Sequence, residues 1–326
     1  MIKKKLISLI VLTLLIFIII LIINHSIEYT ITDYIKLKMY GEPINTTTGE
    51  INNKYFGISK DGKNSAETTK GINRAIKYAY KNNISYIKFE EGYYSIKIDS
   101  NQKGITIYSN LKIDLNSSSI RVEGNSYTSY RLFYLKNESN VEIFNGTLIG
   151  DKDTHDYETI QSEHQWGYAI HIRGSQNIQV YNLDIYNFTG DGIYIDKYKT
   201  ENYSEVSENI KIYNNNIHNC RRQGISIIDG NKIELYNNEI HDILGSSPQT
   251  GIDLEANEQD EKIQNIRIYG NKFYNFKRNF AIQIYEGVHN VEIFENDINS
   301  TIRINDEMLV YLFYFDCNNL ISSIVE

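Results

Sequence analysis

The chain has 326 residues, enough for one or two ordinary domains, and it is rich in Ile, Asn and Tyr, with 27 Tyr but only 2 Pro. Its net charge of -8 argues against nucleic acid as a partner, because phosphate binding needs a basic surface. Two distant cysteines, Cys220 and Cys317, exclude a disulfide framework, and no Cys/His grouping has zinc spacing.

The N-terminus carries an uncharged apolar run of 18 residues, residues 6–23, directly after three lysines. This length is just enough to span a bilayer and exceeds the usual hydrophobic region of a signal peptide. No small-residue cleavage pattern follows, which favours an uncleaved signal anchor over a cleaved signal peptide in residues 1–23. We therefore expect contact with the membrane through residues 6–23 and a protein that is membrane-anchored facing the outside, or secreted. Residues 24–53 are predicted to be a polar spacer.

An amphipathic helix is predicted after the Asp61-Gly62 turn, because its apolar residues share one helical face: Ile72, Ala75, Ile76, Ala79 and Tyr80. Asn64 and Glu67 resemble a capping box. Residues 85–89 and 93–97 are predicted to be strands. Because the end of a stack of strands exposes apolar core and unpaired backbone, we expect this N-terminal helix to cap it.

The organising feature of the chain is a repeated segment in which a small residue precedes aliphatic residues at alternate positions. It recurs at residues 169–173, 190–196, 224–228, 251–255 and 281–285. A second segment, with aliphatic residues in its second and fourth places, recurs seven times between Asn110 and Ile293. Such alternation is typical of half-buried strands, and its recurrence indicates stacked strands around one apolar interior. The predicted fold is all-β, a parallel β-solenoid over residues 54–304.

Turns and loops separate these segments. An asparagine lies six residues after the start of each of the last four second segments: Asn215, Asn238, Asn271 and Asn296. We interpret them as corner residues that bond one another along the axis, and not as sugar-binding residues. Residues 151–166, 197–208, 245–250 and 258–264 are predicted to be loops.

The C-terminal tail, residues 305–326, breaks the repeat with an apolar run that lacks polar alternation. Two explanations stay open. The tail plugs the open end of the solenoid, or it comes from an altered or truncated reading frame.

Several motifs resemble those of the right-handed parallel β-helix proteins of the pectate-lyase-like superfamily, over residues 57–304. The most specific are Asp61-Gly62, Trp166-Gly167 and residues 145–151, 190–192, 221–224 and 248–255. The resemblance implies a right-handed parallel β-helix that acts on extracellular polysaccharides as a lyase, hydrolase or epimerase. The sequence departs from two subfamilies. It has one acid in Gly190-Asp-Gly192 where polygalacturonases have two, and it lacks the Asp-Pro-His-Glu motif of alginate epimerases.

The residues between the aliphatics are expected to form two columns on one exposed sheet, because neighbouring strands lie about 4.8 Å apart. The first column reads His171, Tyr194, Ser226, Asp253 and Gln283, and the second reads Arg173, Asp196, Ile228, Glu255 and Tyr285. These residue types are the ones that chemistry at a glycosidic bond uses.

Two acids in these columns, Asp253 and Glu255, share a face of one strand with about 6.5 Å between their Cα atoms. Inverting glycosidases hold their two carboxyl groups roughly 6.5–9.5 Å apart, so the pair is a candidate acid and base. The same residues are also candidate Ca²⁺ ligands that would bridge to a uronate, and solvated surface acids are the third alternative.

Three further candidate catalytic residues are Asp191, Arg221 and Arg222, on adjacent coils. Arginine gives a planar fork that clamps a carboxylate or stabilises an enolate. Alternatively these arginines pair with acids at the corners, and Asp191 is only a turn residue.

The predicted substrate-binding residues are Trp166, His155, His164, His171, Tyr194 and Gln223. Trp166 is the sole tryptophan, and it is either a platform for a pyranose or an anchor for the longest loop. His155 and His164 lie in that loop, where they act as acid or base or are simply solvated.

The leading hypothesis is therefore an extracellular carbohydrate-active protein that cleaves or modifies an acidic polysaccharide. A non-catalytic glycan-binding or adhesive solenoid is the alternative, in which the Tyr-rich outer positions carry the binding. A degenerate protein is the third. No cofactor is required by the sequence, apart from the Ca²⁺ alternative.

Overall fold

The structure, a computed structural model, describes residues 31–304. Residues 31–40 form helix α1 in one compact unit, which ends at Pro43, and a second compact unit begins at Ile44. No helix within residues 31–304 is long and apolar enough to span a membrane. The predicted signal anchor in residues 1–23 and the atypical tail in residues 305–326 lie outside the described residues.

The second unit contains helices α2 (Asn53–Phe56) and α3 (Ser65–Lys81) and three walls of stacked parallel strands. Walls 1 and 2 share three long strands that bend from one wall to the other: β4 (Leu111–Val122), β6 (Ser139–Ile149) and β8 (Gln176–Tyr186). Wall 1 also contains β1 (Tyr86–Lys88), β12 (Glu208–Tyr213), β15 (Gly230–Tyr236), β18 (Ile263–Tyr269) and β21 (Val288–Phe294). Wall 2 also contains β2 (Tyr93–Ile96), β13 (Asn216–His218), β16 (Glu239–Ile243), β19 (Lys272–Phe276) and β22 (Asp297–Asn299).

Wall 3 is a separate eight-stranded sheet. Its strands are β3 (Lys103–Thr106), β5 (Ser129–Lys136), β7 (Trp166–Arg173), β9 (Asp191–Asp196), β14 (Gln223–Ile227), β17 (Thr250–Leu254), β20 (Phe280–Ile284) and β23 (Thr301–Ile304). Each coil runs through walls 1, 2 and 3 in turn, as in β12, β13 and β14. The predicted parallel solenoid is confirmed.

Aliphatic residues hold the coils together because they recur in register. Ile193, Ile225 and Ile252 are aligned on neighbouring strands of wall 3, and all three are fully buried. The alternation in sequence turns every second side chain of a strand to the interior, where stacked coils remove it from water. Burial of this kind contributes about 25 cal/mol per Å² of apolar surface.

The corner between walls 1 and 2 is built from buried asparagines, as predicted. The Asn238 side chain accepts from Asn215 N and Nδ2 at 3.1 and 3.0 Å and donates to Ile212 O at 2.9 Å and Asn271 Oδ1 at 3.0 Å. Asn296 continues the ladder by accepting from Asn271 Nδ2 at 3.0 Å. Each amide therefore satisfies backbone groups that the turn leaves unpaired.

Helix α3 covers the first coil, with Ile72, Ala75 and Ile76 fully buried. Its polar residues also serve the first strands. Asn73 donates to Gly104 O at 2.8 Å and accepts from Thr106 N at 2.9 Å, on the outermost strand of wall 3. The helix thus supplies both the apolar cover and the hydrogen bonds that an open edge lacks.

Three expectations about the local structure differ from what is observed. The capping box is wrong: Asn64 makes no side-chain capping bond, since its backbone is left-handed (φ 54°), and Glu67 pairs with Lys70 at 2.8 Å. Ile44 and Ile51, placed in the predicted spacer, are buried in the core. The predicted loop 197–208 contains an antiparallel hairpin of β10 (Tyr198–Thr200) and β11 (Tyr203–Glu205).

Candidate functional site on wall 3

The first predicted column exists in register but is not exposed. His171, Tyr194, Ser226, Asp253 and Gln283 are aligned on neighbouring strands. Except for half-buried Tyr194, each of them is at most 2% exposed. The prediction of exposure is wrong because larger side chains beside the column fill the outer face, for example Tyr168, whose ring stacks on Tyr194 at 4.4 Å.

The second column is the one that solvent reaches. Arg173, Asp196, Glu255 and Tyr285 are half-buried, whereas Ile228 is buried. Arg173 pairs with Asp196 at 3.6 Å. A polymer lying along the axis of the solenoid would therefore meet the second column and, through it, the edges of the first.

A buried polar cluster joins four of the predicted residues on three coils. Arg222 Nη1 donates to Asp191 Oδ2 at 2.8 Å, and Ser226 Oγ donates to the same oxygen at 2.9 Å. Gln223, predicted to bind substrate, instead donates to Asp253 Oδ2, and its own side-chain oxygen contacts Ser226. The cluster connects the carboxyl groups of Asp191 and Asp253 through Ser226 and Gln223.

Both carboxyl groups are electrostatically unusual. Burial raises the pKa of Asp191 to about 6, against the opposing effect of Arg222. Burial, together with the charge of Glu255, raises the pKa of Asp253 to about 8. Within the described part of the chain, Asp191 Oδ1 and Asp253 Oδ1 are buried and have no hydrogen-bond partner. Unsatisfied buried carboxyl oxygens are costly, and such groups concentrate at functional sites.

His171 is held between two charged residues and is closed to substrate. Its Nε2 lies 2.9 Å from Asp196 Oδ1, and Arg131 Nε donates to its Nδ1 at 3.3 Å. Burial lowers the pKa of His171, so the ring is neutral, with Nε2 as donor and Nδ1 as acceptor. His171, predicted to bind substrate, instead orients Arg131 and Asp196.

The two neighbouring arginines, Arg221 and Arg222, contact different parts of the structure. Arg222 belongs to the cluster, whereas Arg221 Nη1 donates to His164 O at 2.5 Å and its guanidinium lies over the Tyr157 ring. Arg221 therefore contacts the loop of residues 151–165 and is not part of the cluster. His155 and His164, predicted as loop acid or base, are buried in that loop and bond to each other at 2.8 Å.

Trp166 is the first residue of β7 and is 37% exposed. It lies two residues before Tyr168 on the same strand, so both point to the outer face. At this exposed position on wall 3, the ring of Trp166 is still a candidate stacking platform for a pyranose.

Calcium does not fit the residues present. Within residues 31–304, no group of three or more His, Cys, Asp or Glu side chains is arranged to hold a metal ion. Ca²⁺ takes six to eight oxygen ligands, and Asp253 with a pKa of about 8 keeps its proton at neutral pH.

A basic patch on the first coils of wall 3 was missed by the sequence reasoning. We define it as Lys103, Arg131, Lys136 and Arg173. Lys103 is aligned with Arg131, and Lys136 with Arg173. No carboxylate within residues 31–304 lies within 4.0 Å of the charged nitrogens of Lys103, Arg131 or Lys136. Gly104-Ile-Thr-Ile107 carries the small-residue signal that would have revealed its first strand.

Comparison with known proteins defines the family. The model of the right-handed beta helix region matches residues 71–243 and 133–305, which together are more than half of the chain. The protein therefore belongs to the right-handed β-helix family.

Two curated proteins of Bacillus subtilis (strain 168) are similar. The SPbeta prophage-derived uncharacterized protein YorA is 32% identical over 221 residues, which are 62% of this chain and 37% of YorA. The uncharacterized protein YclG is 32% identical over 222 residues, 63% of this chain and 38% of YclG. The chain thus spans less than half the length of these relatives.

Solved structures share the fold at low identity. The pre-mature bacteriophage phi29 gene product 12 matches with a TM-score of 0.55 and 17% identity, over 81% of this chain and 35% of that one. PfbA, a surface adhesin of Streptococcus pneumoniae, matches with a TM-score of 0.51 and 14% identity, over 79% and 76%. At these identities the likeness concerns the fold alone.

Proposed function

We propose that the protein cleaves a glycosidic bond in an anionic polysaccharide, with the polymer lying along the outer face of wall 3. The observation that carries the proposal is the pair of acids on β17 and directly after it. Asp253 is buried with a pKa raised to about 8, and half-buried Glu255 lies two residues further on the same face. Acids whose environments differ in this way are suited to divided acid and base roles.

The two acids have complementary roles in hydrolysis. Asp253 keeps its proton at neutral pH, so it is the group that protonates the leaving glycosidic oxygen. Glu255 accepts a proton from a water molecule, whose oxygen bonds to the anomeric carbon as the bond to the leaving oxygen breaks. The Cα separation of about 6.5 Å on one strand is compatible with the spacing of carboxyl groups in inverting glycosidases, where a water molecule fits between the two acids.

The rest of the cluster positions Asp253 rather than touching substrate. Gln223 donates to Asp253 Oδ2, which leaves Oδ1 to carry the proton. Asp191, paired with Arg222, accepts from the Ser226 hydroxyl, and this hydroxyl also contacts the side-chain oxygen of Gln223. Because Asp253 is fully buried, access requires a shift of the side chains around it, and Arg222 and Tyr194 are the partly exposed members at that surface.

The basic patch is the reason for proposing an anionic substrate. The protein is acidic overall, yet Lys103, Arg131 and Lys136 stand together without acidic partners in the described residues. Four coil steps separate Lys136 from Glu255, roughly 19 Å along the axis. Carboxylate or sulfate groups on one end of a polymer would bind the patch while the other end reaches the acids.

A panel of anionic and neutral polysaccharides, with product analysis, tests the proposal. Hydrolysis predicts new reducing ends without ultraviolet absorbance from unsaturated uronates, and activity that persists with a calcium chelator. Asp253→Asn and Glu255→Gln should each lower the rate of product formation by roughly a hundredfold or more, while the protein stays folded. Full activity in both variants would place the chemistry elsewhere.

The burial of Asp253 favours a second candidate, a non-catalytic glycan-binding solenoid. It predicts that an anionic polysaccharide binds without any product, and that loss of Lys136 and Arg173 weakens binding while loss of Asp253 does not. Under both proposed functions the protein works outside the cell. It is either anchored in the membrane through residues 6–23 or secreted. Protease protection of intact cells tests that location.

A further inference from the structure

The loop of residues 151–165 is closed by a chain of hydrogen bonds through two buried histidines. His155 Nδ1 lies 2.7 Å from Asp151 Oδ2, and His155 Nε2 lies 2.8 Å from His164 Nδ1. His164 Nε2 lies 2.7 Å from Ile160 O. All four ring nitrogens are therefore engaged, in a chain that begins at a carboxylate and ends at a carbonyl.

The partners at the two ends fix the number of protons in the chain. Ile160 O only accepts. Asp151 accepts from Tyr130 OH at 2.5 Å and from Asn125 Nδ2 at 2.9 Å, so its oxygens are the acceptors in this network. Both end nitrogens must then donate, and the central contact needs one more proton. The two rings together hold three protons, one more than two neutral imidazoles.

Any other number of protons breaks the chain. With only two ring protons, both at the end nitrogens, the lone pairs of His155 Nε2 and His164 Nδ1 face each other across 2.8 Å. With four ring protons, two N–H groups face each other at the same contact. Buried polar contacts that lose their pairing are strongly unfavourable, so the loop geometry belongs to one protonation state.

The loop forms part of the rim of the candidate site. Arg221, the neighbour of Arg222, donates to His164 O at 2.5 Å. Ser246 Oγ, from the next loop along the axis, donates to Gln165 Oε1 at 3.2 Å. Trp166 follows directly and begins β7. A change at the histidines is therefore passed to the edge of wall 3.

We propose that His155 and His164 form a proton-operated latch that docks residues 151–165 against the rim of wall 3 and releases them when the pair gains or loses one proton. The idea that the latch controls access to wall 3 rests on the proposed function. The existence of the latch does not depend on that function.

Several titratable and charged groups surround the histidine pair. They are Asp151, Tyr130, Tyr157, Arg221, Asp156, Asp153, Lys152 and Glu163. Burial raises the pKa of Tyr130 and of Tyr157 above the ordinary value, so both phenols stay neutral. Lys152 is turned away from the pair, with its Nζ donating to Asn219 O at 2.7 Å.

Two measurements without substrate test the latch. Amide hydrogen exchange of residues 152–165, corrected for intrinsic rates, and the fluorescence of Trp166 would be followed from about pH 4 to about pH 9. The latch predicts a window of strong protection with loss on both sides, while amides of the wall 3 core stay protected throughout. Nitrogen NMR of labelled histidine should count three ring protons on the pair inside the window.

Variants make the test specific. In His164→Gln the amide can turn to offer either its oxygen or its nitrogen, so it matches both protonation states of His155 and the window should flatten. His241→Gln is the matched control, because His241 stacks on His218 on wall 2 and lies outside the loop. A flat profile in the unaltered protein, two ring protons on the pair, or a window that survives His164→Gln would overturn the latch. An inactive protein with an intact window would overturn only the proposed enzyme function.

Discussion

Wall 1 and wall 3 use the same stacking of coils in opposite ways. Wall 1 carries a column of aromatic rings on its outer face: Phe144, Tyr181, Tyr213, Tyr236, Tyr269 and Phe294. The rings of Tyr213 and Tyr236 are 4.8 Å apart and within 2° of parallel. On wall 3 the corresponding column changes residue at every coil, and it contains carboxyl oxygens without partners in the described residues.

This difference indicates that the outer column of wall 1 stabilises the fold, whereas the column of wall 3 is available for a functional site. A ring stacked between two others offers only its edge and hydroxyl to solvent, and three of the four tyrosine hydroxyls donate to neighbouring side chains: Tyr181 to Glu142, Tyr213 to Gln179 and Tyr269 to Glu234. The faces that a sugar would need are covered. Glycan binding by the Tyr-rich outer positions of this column would have to use ring edges and hydroxyls, whereas the outer face of wall 3 offers varied polar side chains.

The largest expected effect is on catalysis. Asp253→Asn or Glu255→Gln should lower kcat by roughly 10²–10⁴-fold, the usual contribution of a general acid or base. Glu234→Gln on wall 1 is the control, since that carboxylate is paired with side chains of its own wall, Lys211, Arg267 and Tyr269. Equal losses in all three variants would show that the two walls do not differ in function.

The second prediction concerns stability and pH. The folded-state pKa of Asp253, about 8, is above its ordinary value of 3.8. Its contribution to the free energy of unfolding is therefore complete below about pH 4 and is lost as the pH rises through 8. Denaturant unfolding should show this decline in the unaltered protein and a flatter profile in Asp253→Asn. An unchanged slope in the variant would mean that Asp253 is solvated.

The third prediction addresses the corner ladder. Asn238→Ala should lower the free energy of unfolding by about 3 kcal/mol, because the Ile212 carbonyl and the Asn215 amide lose their buried partner. Asn231→Ala, at a half-buried surface position, should cost about 1 kcal/mol or less. Substrate affinity should not change in either variant. Denaturant midpoints and binding isotherms check both parts.

The smallest effect is expected from the basic patch. Lys136→Ala removes one exposed charge and should raise KM for an anionic polymer several-fold with little change in kcat, and the effect should shrink at high salt. Lys211→Ala on wall 1 is matched in charge and paired with Glu234 at 3.1 Å. If the two variants behave alike, the patch does not bind the polymer.

Strand register and corners could be predicted from the sequence, because alternation and repeated asparagines are local signals. The burial of Ser226 and Asp253 could not, because it depends on how large side chains such as Tyr168 and Arg222 fill the outer face of the wall. The pairing of His155 with His164 depends on how one loop folds back on itself, for which a nine-residue spacing carries no signal. Sequence periodicity thus predicts the scaffold. It does not predict the site, whose residues depart from the repeat.

The footprint of a bound anionic polysaccharide tests the central claim most directly. Hydrogen exchange of the inactive Glu255→Gln variant, with and without the polymer, would be compared across the three walls. The account predicts protection on β5, β7, β14 and β17 of wall 3, with wall 1 unchanged. Protection centred on the aromatic column of wall 1, with wall 3 unaffected, would contradict it.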